Sequence, residues 1–227
     1  MLIFESISFI MFFDHSAFCF SELCYNYIIS KTSCLQNIAI TEEKITLKST
    51  NEHLFNDKKA SSLVDHAIFC LGLPTVYLWG GLGEIITEDI IRDRKEAYPK
   101  QYTEEYCESL RKLIGKNIHG FDCSGLIKNF IMGGIADFKY NASLDMNSYM
   151  MLSLAEQSGP IETIPEIPGV CLFMPGHVGI YIGNGYVIES TSNVKFGNGV
   201  VKTMLSDRKW TNWFFCKGID YTEQKSE

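Results

Sequence analysis

The stretch Gly120-Phe121-Asp122-Cys123-Ser124-Gly125-Leu126 places a cysteine where an apolar helix begins. Apolar side chains follow at helical spacing up to Gly133-Gly134, and Asp122 is the expected N-cap of this helix. Free N–H groups at a helix start favour a thiolate and can hold an oxyanion. Cys123 is therefore a candidate nucleophile, and the alternative is one more small buried side chain.

A second stretch, His177-Val178-Gly179-Ile180-Tyr181-Ile182-Gly183, has the pattern of a strand that begins at a histidine. His177 and Gly179 share one face of this strand, and the gap at Gly179 is expected to receive the Cys123 helix. Glu189 lies on the next strand of the same hairpin and is predicted to orient the imidazole. The alternatives are a solvent-exposed turn histidine and a glutamate that faces water on an edge strand.

The pattern around these two stretches indicates helices first and strands afterwards. Helices are predicted at 62–71, at two places within 82–121 with Thr87 and Thr103 as their caps, and at 148–156. Strands are predicted at 170–174, 177–182, 186–191, 199–204 and 213–219. This order predicts an α+β fold in which N-terminal helices, including the Cys123 helix, pack on a C-terminal antiparallel sheet.

Composition limits the classes of function. A chain of 227 residues with 46% hydrophobic residues can bury one full core. The net charge of −7 argues against a nucleic-acid partner, and no apolar run approaches the ~20 residues of a membrane span. The eight cysteines show no metal-ligand spacing, so we expect no metal and no organic cofactor. We also expect a monomer.

The change from polar to patterned sequence places a domain boundary near residue 58. We predict an N-terminal extension at 1–57, a domain at 58–220 and a polar tail at 221–227. Residues 1–13 are mostly apolar like a signal peptide, but Glu5 interrupts them and no basic residue precedes them. Cysteines among apolar neighbours fit a reducing compartment instead. Secretion or association with the cell wall is expected, with the cytoplasm as the alternative.

Taken together and in this order, the motifs resemble those of the NlpC family of papain-like cell-wall cysteine peptidases, which is related to CHAP domains. The resemblance covers about residues 58–218 and rests on Leu73-Pro74, Tyr77-Leu78-Trp79-Gly80-Gly81, Asp122-Cys123-Ser124-Gly125-Leu126, Pro168-Gly169 and Gly176-His177-Val178-Gly179-Ile180-Tyr181-Ile182-Gly183. It implies a papain-like fold, Cys123 as the nucleophile and His177 as the base. It also implies cleavage of peptidoglycan stem peptides, typically after γ-D-glutamate.

The resemblance extends to the substrate side and has three departures, one of which is Val170 in place of the acidic residue that usually follows Pro-Gly. Tyr77 matches a tyrosine that lines the family's site, and Asp122 and Ser124 match positions that contact the substrate's free amine. Glu189 stands where the family commonly has histidine, and a glutamate there is similar to the CHAP group. The helical insert 82–121 is longer than the family's usual loop at this place and is expected to wall the groove.

Two other functions remain open from the sequence. The same Cys/His pair could serve an amidase or an acyl-transfer enzyme that acts on a non-wall substrate. A catalytically inactive wall-binding module is the second alternative, and it predicts an unreactive Cys123.

Overall fold

A computed structural model of the protein describes residues 58–222. The predicted extension 1–57, with its signal-like segment, lies outside the described residues, as do residues 223–227. Within the described part, no helix is both long enough and apolar enough to cross a bilayer.

The described residues form five α-helices and nine strands. The helices are α1 (Ala60–Leu71), α2 (Glu88–Ala97), α3 (Glu104–Arg111), α4 (Cys123–Ile131) and α5 (Ser148–Ser153). The strands are β1 (Thr75–Tyr77), β2 (Leu82–Ile85), β3 (His119–Phe121), β4 (Ser158–Pro160), β5 (Cys171–Met174), β6 (His177–Gly183), β7 (Tyr186–Asn193), β8 (Gly197–Met204) and β9 (Asn212–Phe214).

A six-stranded antiparallel sheet forms the C-terminal part, in the order β4-β9-β5-β6-β7-β8. The α+β fold with helices before the sheet is therefore confirmed. The strands β6 and β7 pair near its centre, with Ile180 opposite Ile188. This register places His177 and Glu189 on one face as diagonal neighbours, a separation that long side chains can span.

The helix α4 is buried along its whole length, which is unusual for a helix of a small domain. Its apolar side chains join α1 and the sheet in one core that includes Leu126, Ile127 and Phe130. On the sheet side, the Ser190 hydroxyl donates to the Phe121 carbonyl oxygen at 2.8 Å. Helix α4 and the strand before it thus pack on the sheet face that carries Ile188 and Ser190.

The insert 82–121 is not wholly helical. It begins with β2 and ends with β3, which join β1 in a small mixed sheet of order β1-β3-β2. Strands of three or four residues are too short to show a clear alternation, which is why the sequence did not predict them. Thr87 and Thr103 cap α2 and α3 as expected, each accepting a backbone N–H three residues on.

The structure differs from the sequence prediction at three element ends. Helix α1 begins at Ala60, and its N-cap Lys59 makes no side-chain cap bond. Strand β9 ends at Phe214 rather than at 219. Tyr221, which was assigned to a polar tail, is buried against Phe215 with ring centroids 4.2 Å apart. A single tyrosine among polar neighbours gives no periodic signal, so the sequence could not place it in the core.

Candidate active site

Cys123 is the first residue of α4, and the residues around it fix the start of the helix. The Asp122 side chain caps the helix by accepting the Gly125 N–H at 2.5 Å, and it also accepts the Gly80 N–H at 3.1 Å. A Cβ on Gly125 would lie 1.8 Å from the Gly81 carbonyl oxygen, so only glycine fits there. The turn containing Gly80 and Gly81 is therefore held directly against the nucleophile's end of α4.

The Cys123 sulfur lies against the backbone on both sides of His177. Its Sγ is 4.0 Å from the Gly176 carbonyl oxygen, and the Val178 N–H points toward it as a donor. Burial, and then the neighbouring Asp122 carboxylate, raise the pKa of the Cys123 thiol to about 12. The backbone N–H groups of Cys123 and Ser124 at the helix start favour the thiolate as expected, but burial outweighs them. The thiol therefore needs an adjacent base to react near neutral pH.

His177 is bound through one ring nitrogen and packed through its face. Its Nε2 is 2.5 Å from the Glu189 carboxylate oxygen Oε2, and its ring stacks on Trp210 with centroids 5.7 Å apart. With Nε2 engaged by a carboxylate, Nδ1 is the ring nitrogen left to accept a proton. The structure thus brings Cys123, His177 and Glu189 to one place on the molecule.

Glu189 is completely buried and is held by more partners than the sequence predicted. The Thr203 hydroxyl donates to it at 2.8 Å, and Arg208 donates to both carboxylate oxygens at 3.0 and 2.7 Å. Burial alone would raise the pKa of Glu189, but the bonds from His177 and Arg208 outweigh it and the net pKa is lowered. Glu189 is therefore a carboxylate, and hence a pure acceptor, at neutral pH.

Sequence reasoning missed Arg208 and Thr203. A buried carboxylate requires a cation, and that rule could have prompted a search. The basic residues that follow Glu189 are Lys195, Lys202, Arg208, Lys209, Lys217 and Lys225, with no pattern to separate them. The contact of Thr203 with Glu189 depends on the register of β7 and β8, which the sequence does not show.

The gap at Gly179 is filled by Trp210 and not by the Cys123 helix. A Cβ there would lie 2.8 Å from Val187 Cγ1 and 2.9 Å from Trp210 Cη2. The helix packs on the opposite face of the sheet, which carries Ser190. Gly179 therefore makes room for the ring that supports His177, and the prediction for this glycine is corrected accordingly.

Cys123 is surrounded by Tyr77, Asp122 and Ser124. The Tyr77 hydroxyl is hydrogen-bonded to Cys123, and burial raises the pKa of Tyr77 above its usual range. Ser124 Oγ donates to Asp122 Oδ1 at 2.9 Å. Burial raises the pKa of Asp122 although the Gly125, Ser124 and Gly80 donors oppose this change. A ligand amine near Asp122 would share these oxygens with the helix cap.

The family model described as "NlpC/P60 family" matches residues 112–218, which contain Cys123, His177 and Glu189. The resemblance to the NlpC/P60 family is confirmed. This family generally consists of cysteine peptidases, and the match suggests a cell-wall peptidase activity. The match begins inside the insert, so β1, β2 and α2 lie outside it.

One solved structure that resembles this chain is the crystal structure of the P60 domain from an antigen of M. avium subspecies paratuberculosis. The two share 22% sequence identity over 71% of this chain and 98% of the other, with a TM-score of 0.40. No curated protein shows significant similarity to the chain.

A cavity of about 270 Å³ opens beside Tyr77. Its lining residues are Tyr77, Trp79, Gln101, Tyr106, Ser192 and Asn198. The insert supplies Gln101 and Tyr106, and the Tyr106 hydroxyl donates to the Tyr77 carbonyl oxygen at 3.0 Å. The insert therefore forms one wall of the groove and holds the backbone of Tyr77 by this hydrogen bond.

Within residues 58–222, no three His, Cys, Asp or Glu side chains cluster as metal ligands.

The stability of the folded protein should depend on the ionisation of Glu189. Its folded-state pKa is lowered from the usual 4.5, so its stabilising contribution is present above pH ~4.5 and is lost as the pH falls through the folded value. The difference in unfolding free energy between the parent and Glu189→Gln should shrink on acidification. Urea unfolding followed by tryptophan fluorescence from pH 7 to pH 3 measures this difference. Exposed Glu105, replaced in Glu105→Gln, is the control, and a gap that widens in acid would contradict the assignment.

Proposed function

We propose that this chain is a cysteine peptidase that hydrolyses peptidoglycan stem peptides at the bond between γ-D-glutamate and a diamino acid. One observation carries the proposal: Cys123 lies against the backbone that flanks His177, and His177 is bound to the buried Glu189. The NlpC/P60 match supports a cell-wall substrate. Such a substrate lies outside the cytoplasm, so secretion or association with the wall is part of the proposal.

The first half of the reaction forms a thioester. His177 Nδ1 takes the proton from Cys123 Sγ as the sulfur attacks the carbonyl carbon, and the carbonyl oxygen becomes an oxyanion. The Cys123 backbone N–H at the start of α4 donates to this oxyanion, and one good donor of this kind contributes roughly 3–4 kcal/mol. The imidazolium then returns its proton to the nitrogen of the leaving amine, and the carbon–nitrogen bond breaks.

The second half releases the acid product. His177 takes a proton from water, and the hydroxide attacks the thioester carbon and displaces the sulfur. The proton then returns to Cys123, so the free enzyme is restored with one water consumed. Glu189 holds the Nε2–H of His177 through both halves and stabilises the imidazolium that forms in each.

The cavity beside Tyr77 is the proposed binding place for the amino end of the stem peptide. Tyr77 lines it and also contacts the nucleophile, so a ligand there lies next to the reacting sulfur. Asp122 and Ser124 are proposed to contact the free amine of the peptide, as the resemblance implies. The tyrosine and the insert residues opposite it would then select for a short, unlinked stem.

The deciding experiment is cleavage of a free L-Ala-γ-D-Glu-diaminopimelate peptide, followed by mass spectrometry. We expect L-Ala-D-Glu to be released by the parent protein and not by Cys123→Ala. No cleavage by a folded protein whose Cys123 still reacts with iodoacetamide would contradict the wall substrate and favour an amidase or acyl transfer elsewhere. The same result with an unreactive Cys123 would favour the inactive wall-binding module.

Removal of the Tyr77 hydroxyl should slow this cleavage without unfolding the protein. Tyr77→Phe loses the hydrogen bond to Cys123 and retains the ring that lines the cavity. One net hydrogen bond is worth about 1 kcal/mol, so kcat/KM should fall by roughly fivefold to tenfold. Tyr149→Phe, at an exposed ring on α5, is the matched control with unchanged kinetics. Equal values of kcat/KM for the two variants would show that Tyr77 is not part of the proposed site.

A further inference from the structure

A second cavity, of about 750 Å³, does not include Cys123 in its lining. It lies between the insert, the later turns of α4 and the segment that follows α4 as far as Asp145. Gly80 lines this cavity and its neighbour Trp79 lines the smaller one beside Tyr77. The two cavities therefore lie on either side of one turn. A volume of this size is in the range of small-molecule sites.

The charged side chains of this cavity are paired with one another. Arg94 forms an ion pair with Glu84, and the buried Lys128 donates to Asp145 at 2.6 Å. His119 Nδ1 is 2.7 Å from the Gly83 carbonyl oxygen, so the ring is also engaged with the wall. Because each cation faces its own carboxylate, a ligand with a net charge would have to break a pair. The lining therefore favours a neutral ligand.

Asn129 provides a buried acceptor that the protein leaves unpaired. Its side-chain nitrogen donates to the Leu82 carbonyl oxygen at 2.7 Å, and this acceptor fixes which end of the amide faces Leu82. The other end, Oδ1, has no partner among residues 58–222, although Asn129 is only 1% exposed. Buried polar atoms almost always have a partner, but Oδ1 itself has almost no accessible surface, so a ligand in the cavity would reach it only after the Asn129 side chain shifts.

Aromatic side chains complete the lining. Tyr98, Phe138 and Tyr140 all contribute to the cavity, and Tyr140 is 58% exposed at its edge. The Tyr140 hydroxyl is committed to Asp145 at 3.0 Å, which leaves the ring face available. An aromatic face beside polar groups suits a ligand that has both C–H faces and hydroxyl groups.

We propose that this cavity binds a neutral sugar of one or two rings, whose hydroxyl groups face the polar side chains of the lining. The ring of Tyr140 covers a C–H face of the sugar, and the ion-paired side chains Lys128 and Arg94 offer N–H donors to its oxygens. The site is separate from the thiol chemistry, so it stands whether or not Cys123 cleaves a stem peptide.

The test is calorimetric titration of the full-length protein with chitobiose, cellobiose and glycylglycine. Saturable binding of at least one of the two disaccharides, and none of the zwitterionic dipeptide, is the expected result. Binding of both sugars would indicate recognition of hydroxyl groups, and binding of chitobiose alone would indicate recognition of its acetamide groups. The same titration with Cys123→Ala should give the same affinity, which separates this site from the proposed peptidase.

Two pairs of variants locate the binding. Tyr140→Ala should weaken sugar binding at least tenfold and Tyr140→Phe by no more than threefold, because only the first removes the ring. Ile85→Trp, at a partly exposed wall position, should block the cavity, whereas Lys139→Ala at an exposed position outside the lining should change nothing. Sugar binding that survives both Tyr140→Ala and Ile85→Trp would overturn the proposal. Binding of glycylglycine alone, or of no probe at all, would also overturn it.

Discussion

Cys123→Ala is expected to abolish turnover of the stem peptide while the protein stays folded. Loss of the nucleophile from a hydrolase that forms a covalent intermediate lowers kcat by a factor on the order of 10⁶. Cys123 lies at the first turn of α4 and is 8% exposed, so the smaller side chain leaves the core of the helix in place. Product formation by mass spectrometry, together with the melting temperature, separates loss of chemistry from loss of fold.

Cys107→Ala is the matched control for this experiment. It makes the same change of thiol to hydrogen at a buried site in α3, among side chains of the insert. We expect unchanged kinetics and only a small loss of stability. Native alkylation gives a second check, since the other described cysteines are at most 1% exposed and Cys123 should be modified first. Turnover that persists in Cys123→Ala would end the assignment of Cys123 as nucleophile.

Arg208→Met should be the most destabilising single change at the candidate site. It removes both charge-assisted bonds from a fully buried Glu189 and leaves that carboxylate without its cation. Breaking one half of a buried ion pair costs about 3–5 kcal/mol. The pKa of Glu189 should rise, so the acidic limb of the pH–activity profile should move to higher pH. Chemical denaturation and the pH dependence of kcat/KM measure the two effects separately.

Arg111→Met is the matched comparison on the protein surface. Arg111 also pairs with carboxylates, those of Glu88 and Glu104, but all three side chains are at least 38% exposed. Exposed ion pairs contribute little because solvent screens them, so this variant should be close to the parent in stability. The double variant Glu189→Gln/Arg208→Met should recover part of the stability that Arg208→Met loses. Equal losses for Arg208→Met and Arg111→Met would show that Arg208 has no special role.

The sequence predicted those parts of the fold that depend on local chemistry. Asp122 caps α4, and Thr87 and Thr103 cap the insert helices, because cap preference depends on a few adjacent residues. The β6–β7 hairpin was predicted from alternation, and with it the neighbourhood of His177 and Glu189. Their roles in catalysis remain predictions that the experiments above test.

The sequence could not predict what depends on distant contacts. Arg208 and Trp210 reach the face of the sheet that carries His177 from a segment that follows β8, and nothing local marks either residue. The short strands β2 and β3 exist because they pair with each other across the whole insert, and β3 also pairs with β1. The raised pKa of Cys123 also comes from burial, which a helix start in the sequence does not reveal.

The order of these residues along the chain has a consequence during protein synthesis. The ribosome makes Cys123 first, then His177 and Glu189, and Arg208 last. Until Arg208 has left the exit tunnel, the Glu189 carboxylate has no cation with which it can be buried. The contact by which Glu189 orients His177 is then not yet stabilised. A partly translated chain therefore carries a thiol without a working base. A host cell that makes this protein would be exposed to the proposed peptidase activity only after nearly the whole domain had been translated.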